Sequence, residues 1–133
     1  MAGRLYRIRA GELHGATAQT GGMRRLAAIS GATCGSGAIW MGQTHVAPAT
    51  RSAPHHHGAS ETGIYVVSGR PVFVFHDGAG EVRLETAPGD YLFVPPFVPH
   101  IEENPSPDEE ALVVIARSTQ EAIVVNLDRL TAG

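Results

Sequence analysis

The sequence has one cysteine, Cys34, so no internal disulfide can form and a reducing compartment, the cytoplasm, is expected. No apolar run approaches the length of a membrane span, and the opening MAGRLYRIRAGELHG lacks the apolar segment of a signal peptide. Basic clusters are also missing. The formal charge is −3, and Arg4, Arg7 and Arg9 alternate with other residues instead of forming a patch, which leaves no electrostatic footprint for nucleic acid. There is no helix-turn-helix segment, internal repeat, linker or low-complexity stretch. What remains is the expectation of one small soluble domain over residues 1–133, long enough to bury one real core.

Sixteen glycines and nine prolines predict many turns and short strands rather than long helices. Strands are expected at Leu5 to Arg9, Arg24 to Ser30, Ala38 to Val46, Ile64 to Ser68, Val72 to His76, Glu81 to Thr86, Tyr91 to Val94, Ala111 to Arg117 and Ile123 to Asn126. Asp77-Gly78 marks a hairpin between two of them, and Pro95, Pro96 and Pro99 exclude a helix before His100. A short helix is expected around Asp108 to Ala111. The ends, Met1 to Gly3 and Thr131 to Gly133, are expected to be loose. Short strands with Gly and Pro punctuation make an antiparallel sandwich or barrel.

Two stretches carry the chemistry. PHHHGASETGIYVVSG holds His55, His57 and Glu61, and PGDYLFVPPFVPHIEEN holds His100. Three imidazoles and a carboxylate are a complete donor set for one divalent metal such as Mn, Fe, Ni or Zn, the carboxylate shifting preference toward harder ions. In an extended segment His55 and His57 share a face, while His56 turns to the other. His14, His45 and His76 have no such context and default to structural or exposed roles.

Both stretches resemble the two signature motifs of the cupin superfamily, over residues 49–69 and 89–104. His55, His57 and Gly69 fit the first motif, and Gly89, Pro95, His100 and Asn104 keep the spacing of the second. Two glycine positions of the motifs fall on Ala49 and Phe97, which removes the permissive residue from two tight turns. Glu61 stands seven residues before Gly69 where the motif has six, so a count back from Gly69 lands on Thr62. Carboxylate is the far better ligand, and a β-bulge at Gly63 would absorb the extra residue, so Glu61 is favoured over Thr62.

The resemblance implies an all-β double-stranded β-helix, or jelly-roll barrel, with His55, His57, Glu61 and His100 holding one metal ion. It also implies a homodimer paired through sheet edges. Four protein ligands would leave one or two positions open for an oxygen-bearing molecule. Met41, Phe73, Phe75, Tyr91, Phe93 and Phe97 are candidates for an apolar wall around it. Members of the superfamily include dioxygenases, isomerases and epimerases, so the fold does not choose a reaction. Dioxygenase, isomerase or lyase chemistry and a non-catalytic small-molecule sensor all remain open. For proton transfer, His45, Tyr91 and Glu102 are the nearest candidates.

Overall fold

The computed structural model describes residues 3–17 and 19–131; the expectation of loose ends at Met1, Ala2, Ala132 and Gly133 lies outside them. Eleven strands form in chain order among the described residues: β1 (Met23–Ile29), β2 (Trp40–Val46), β3 (Thr50–Arg51), β4 (His55–His56), β5 (Thr62–Ser68), β6 (Val72–His76), β7 (Glu81–Glu85), β8 (Tyr91–Val94), β9 (His100–Asn104), β10 (Ala111–Arg117) and β11 (Val125–Asn126). They build two antiparallel sheets, ordered β1-β2-β10-β5-β8 and β11-β4-β9-β6-β7, with β3 paired to β9. This is the jelly-roll architecture, and no helix among the described residues is long and apolar enough to cross a membrane.

Period-two burial explains why these segments are strands. Along β2, Trp40, Gly42, Thr44 and Val46 are buried while Met41, Gln43 and His45 are half-exposed, so one face packs and the other meets water. Ile64 and Val66 of β5, Phe73 of β6, Val94 of β8 and Val113 of β10 meet between the sheets as the main core cluster. Each such side chain contributes roughly 1.5–3 kcal/mol on burial. A second cluster of Val72, Val74, Ile101 and Leu130 seals the outer face of the other sheet with the C-terminal segment.

Three expectations need correction. Leu5 to Arg9 forms no strand; the segment is exposed, Leu5 to 95%, it pairs with no strand among the described residues, and only a 3-10 turn at Ala10–Glu12 follows. Asp108 to Ala111 is not helical. There the Asn104 amide donates to Glu109 O at 2.8 Å and its carbonyl accepts from Ser106 N–H at 3.2 Å, which holds the loop open until β10 begins. The one α-helical turn among the described residues is instead α1 (Gly31–Cys34), nucleated by a capping box in which Ser30 and Thr33 satisfy each other's backbone N–H.

The third correction concerns the bulge. Gly63 sits in unbroken register opposite Ala116 and Phe93, and the irregularity between β5 and β10 lies at Val67, where Leu112 and Val113 face Ser68 and Val66. Gly69 then takes φ +79°, and a Cβ there would approach Ala111 to 2.8 Å, so the tight exit from β5 requires glycine.

Candidate metal centre

His55 on β4 and His100 on β9 face each other directly across the ladder, with ring centroids 4.4 Å apart. His57, two residues on, brings its ring within 5.0 Å of both. One donor atom from each of the three lies within 4.8 Å of the others, close enough for a single ion to draw them in.

The orientation of each ring is fixed by backbone. His55 Nδ1 is 2.8 Å from Ala53 O, His57 Nδ1 is 2.8 Å from Ile123 O, and His100 Nδ1 is 3.0 Å from Val98 O. A carbonyl only accepts, so each Nδ1 carries the proton and Nε2 keeps its lone pair. This is the arrangement that metal-binding histidines use to set their tautomer. Burial, against those hydrogen bonds, lowers the His55 pKa and brings His57 and His100 down to about 4, so at neutral pH the imidazoles are in the uncharged, ligating form. The donor set therefore fits a divalent cation.

Glu61 does not join them. Thr62, Ile64 and Val66 are the inward residues of β5, and with no bulge at Gly63 the strand turns Glu61 to solvent, where its backbone bonds Ser118 on both sides. Thr62, buried at 7%, lines the pocket in its place. The count back from Gly69 thus identified the inward position. His56 is also outside the cluster; its Nδ1 accepts from Gly58 N–H at 3.0 Å and its ring packs on Phe97.

The rest of the wall is more polar than the sequence suggested. Arg25 of β1, Glu102 of β9 and Arg117 of β10 line the pocket together with Ile64 and Ile115. Glu102 is buried, and its Oε1 has no hydrogen-bond partner among the described residues. Desolvation, opposed by the charge of Arg25, pushes its carboxyl up to about 7. Arg117 stacks 4.0 Å over the Trp40 ring and donates to Thr119 O and Gln120 O at 3.1 and 2.9 Å. Burial, and then the positive Arg25 beside it, lowers the Arg117 pKa to about 10, which leaves it charged at neutral pH.

The candidates for the apolar wall are corrected accordingly. Met41 lies on the half-exposed face of β2, Tyr91, Phe93 and Phe97 are exposed at 80%, 60% and 63%, and Phe73 and Phe75 line a different cavity. Of the proton-transfer candidates, His45 is outside the pocket and pairs with Glu110 at 2.7 Å, while Tyr91 stacks outward on Tyr65; Glu102 alone lines the site. Sequence reasoning missed Arg25 and Arg117, which lie far from the motifs on strands whose alternation was the only available signal. It also missed the segment Ala122–Val124, which closes the pocket from outside. The free space inside is only about 50 Å³, room for an ion and one or two waters.

A two-sheet jelly roll with inward-facing histidines from neighbouring strands defines a class of small barrel with a central metal-type site. The chain belongs to the cupin domain family, whose model matches residues 42–116. No curated protein matches by sequence. Among solved structures, the polyketide cyclase RemF from Streptomyces resistomycificus superposes with a TM-score of 0.76 at 20% identity, covering 97% of this chain and 89% of that one. An S161A mutant of Bacillus subtilis oxalate decarboxylase OxdC gives 0.69 at 20% identity, covering 84% of this chain and 29% of that one. Lactobacillus farciminis oxalate decarboxylase in a formate complex gives 0.68 at 19%, covering 86% and 33%. The chain thus spans about a third of the length of the decarboxylases, and at these identities the likeness shows the fold.

Proposed function

We propose that this cupin holds one divalent metal ion on His55, His57 and His100 and acts as an enzyme on a small, oxygen-bearing organic anion. The observation that carries this reading is the triple tautomer lock: three neutral imidazoles, each with Nδ1 tied to a carbonyl and Nε2 free. A set of three nitrogens without a carboxylate favours Zn or Ni over Mn. When bound, the ion supplies Lewis acidity to a substrate oxygen.

Arg25 and Arg117 supply positive charge in a half-buried wall, where an anionic substrate exchanges water for fixed charges. Glu102 is the group that takes and returns a proton. Burial holds its carboxyl near 7 in the metal-free protein, and a bound cation would draw it toward the ionised form that accepts a proton. This supports isomerase, lyase or cyclisation chemistry ahead of dioxygenase chemistry. Similarity to RemF and to oxalate decarboxylase, both enzymes by their descriptions, agrees with a catalytic role.

The test has two stages. Protein purified without chelator or nickel resin is assayed for bound metal, which should be stoichiometric and absent from His57→Ala. Deuterium exchange into a simple 1,3-diketone in D2O is then followed by NMR; loss of exchange in Glu102→Gln supports the role given to that carboxyl. Oxygen uptake by an iron-loaded protein would move the reading to a dioxygenase, and metal binding without turnover of any substrate would move it to a sensor. A homodimer in the cytoplasm completes this reading, and a monomer mass by light scattering at micromolar concentration would remove the first part of it.

A further inference from the structure

The phenylalanines expected around the metal point to a second space. Phe73 and Phe75 on β6, Leu84 on β7 and Leu92 on β8 wall a cavity of about 300 Å³. β7 ends one sheet and β8 ends the other, so this space lies where the sandwich is left open at its side. Its floor is deep: Phe73 and Val94 are 3% and 6% exposed, whereas Leu84 and Phe93 at the rim are 38% and 60% exposed.

Among the described residues His100 is the only ionisable side chain in the lining, and it also belongs to the metal pocket, as does Val94. Its Nδ1 is taken by Val98 O and its other nitrogen by the histidine cluster, so what it offers to the cavity is ring carbon. A ligand here finds no side-chain partner for a buried polar group, and burying one unpaired is costly. The occupant must therefore be apolar where it is buried. The volume stands at the lower end of small-molecule sites, which fits one or two fused rings. The depth of the floor excludes a flat protein surface, which could cover the rim but not reach Phe73 or Val94.

We propose that this cavity is a binding site for a neutral, planar molecule of one or two rings, seated between β6 and β8 with an edge against His100. Of the three clustered histidines only His100 reaches this lining, and it does so through ring carbon, so a protein that has lost His57 and its metal keeps every wall of the cavity.

The probe is 2-naphthol, whose fluorescence is titrated against the full chain and against Leu84→Trp, Phe93→Ser and His57→Ala. Saturable one-to-one binding is expected for the wild type. Leu84→Trp fills the cavity from its rim and should weaken binding at least about tenfold, since several ring carbons lose their contacts. Leu84 and Phe93 are both partly exposed, so neither variant threatens the core. His57→Ala should bind as the wild type does, whatever its metal content; failure of the metal reading thus leaves this result untouched. In NMR of the metal-free protein the carbon-bound ring protons of His100 should shift on binding, more than those of His57. Absence of saturable binding, equal affinity in Leu84→Trp, or shifts confined to other residues would each overturn the proposal. So would a dimer mass that falls to that of a monomer in Leu84→Arg, because a second copy would then occupy the cleft; a mass unchanged by that substitution is the expected result.

Discussion

His57 Nδ1 lies 2.8 Å from the carbonyl oxygen of Ile123, so the loop that closes the pocket also orients one of the three imidazoles. That loop is anchored at its start. Ser118 Oγ accepts from Glu61 N–H at 2.9 Å, Thr119 Oγ1 is 3.1 Å from Ser60 Oγ, and Arg117 holds the carbonyls of Thr119 and Gln120. Opening the loop to admit a ligand larger than a water or two therefore releases His57 from its tautomer lock.

Thr119→Val should expose this coupling, since it removes a loop anchor without touching any imidazole. Outer partners of metal-binding histidines are worth roughly 10–100-fold in affinity, so this more distant change should cost about tenfold, chiefly through faster dissociation. Chelator competition on the zinc-loaded protein measures it. An unchanged dissociation rate would separate the loop from the site.

The facing of β5 yields a paired prediction. Glu61→Gln should leave metal affinity unchanged, because Glu61 is exposed and outside the histidine cluster. Thr62→Glu should tighten binding and shift preference toward Mn or Fe, since it sets a carboxylate at the inward position. Metal competition between Mn and Zn in the two variants checks both. Loss of metal from Glu61→Gln would restore the four-ligand set and refute the facing seen here.

The histidines were legible because period-two alternation and motif spacing are local: His55 and His57 had to share a face, and His100 lay at a fixed distance past a proline-rich turn. Glu61 was misplaced because facing within a strand turns on where one extra residue is absorbed, and that was settled at Val67 by pairing with β10, a partner more than forty residues away. The same cause hid Arg25 and Arg117, which reach the pocket only through sheet order. Aromatic content misleads for a similar reason: Tyr91 and Phe93 alternate outward on an edge strand, leaving Leu92 and Val94 to pack.

Ala49 and Phe97, where the motif glycines are replaced, both keep left-handed backbone, at φ 53° and 62°. The turns were retained at a steric cost of about 1–2 kcal/mol, because their amides are committed: Ala49 N–H to Ser106 O and Phe97 N–H to Gly58 O, each at 2.8 Å. Ala49→Gly should therefore stabilise the protein by about 0.5–1 kcal/mol, the relief being partly offset by the greater chain entropy of glycine. Phe97→Gly should gain less, since it also removes the ring packed on His56. Urea denaturation of both variants reads the difference, and destabilisation by Ala49→Gly would contradict the strain.

The pH dependence of the metal-free protein follows from two opposed shifts. His57 and His100 titrate near 4 when folded against an ordinary 6.5, so between those values the unfolded chain carries more protons, and stability rises with pH across that window and is lost as pH falls through it. Glu102 works the other way. Its folded value near 7 lies above the ordinary 4.5, so the folded state holds the extra proton in between and its contribution declines as pH rises from 4.5 to 7. With three lowered histidines against one raised carboxyl, the melting temperature should climb between about pH 4 and 6.5. Glu102→Gln removes the opposing limb, so its melting temperature should climb more steeply and exceed that of the wild type above pH 7, by up to ~3 kcal/mol in stability at about 1.36 kcal/mol per unit. Saturating zinc should shrink that advantage, since a cation in the pocket favours the ionised carboxylate. Calorimetry of both proteins from about pH 4 to 8, with and without zinc, tests each step; a variant no more stable than the wild type at the alkaline end would show that Glu102 is ionised at no cost in the folded protein.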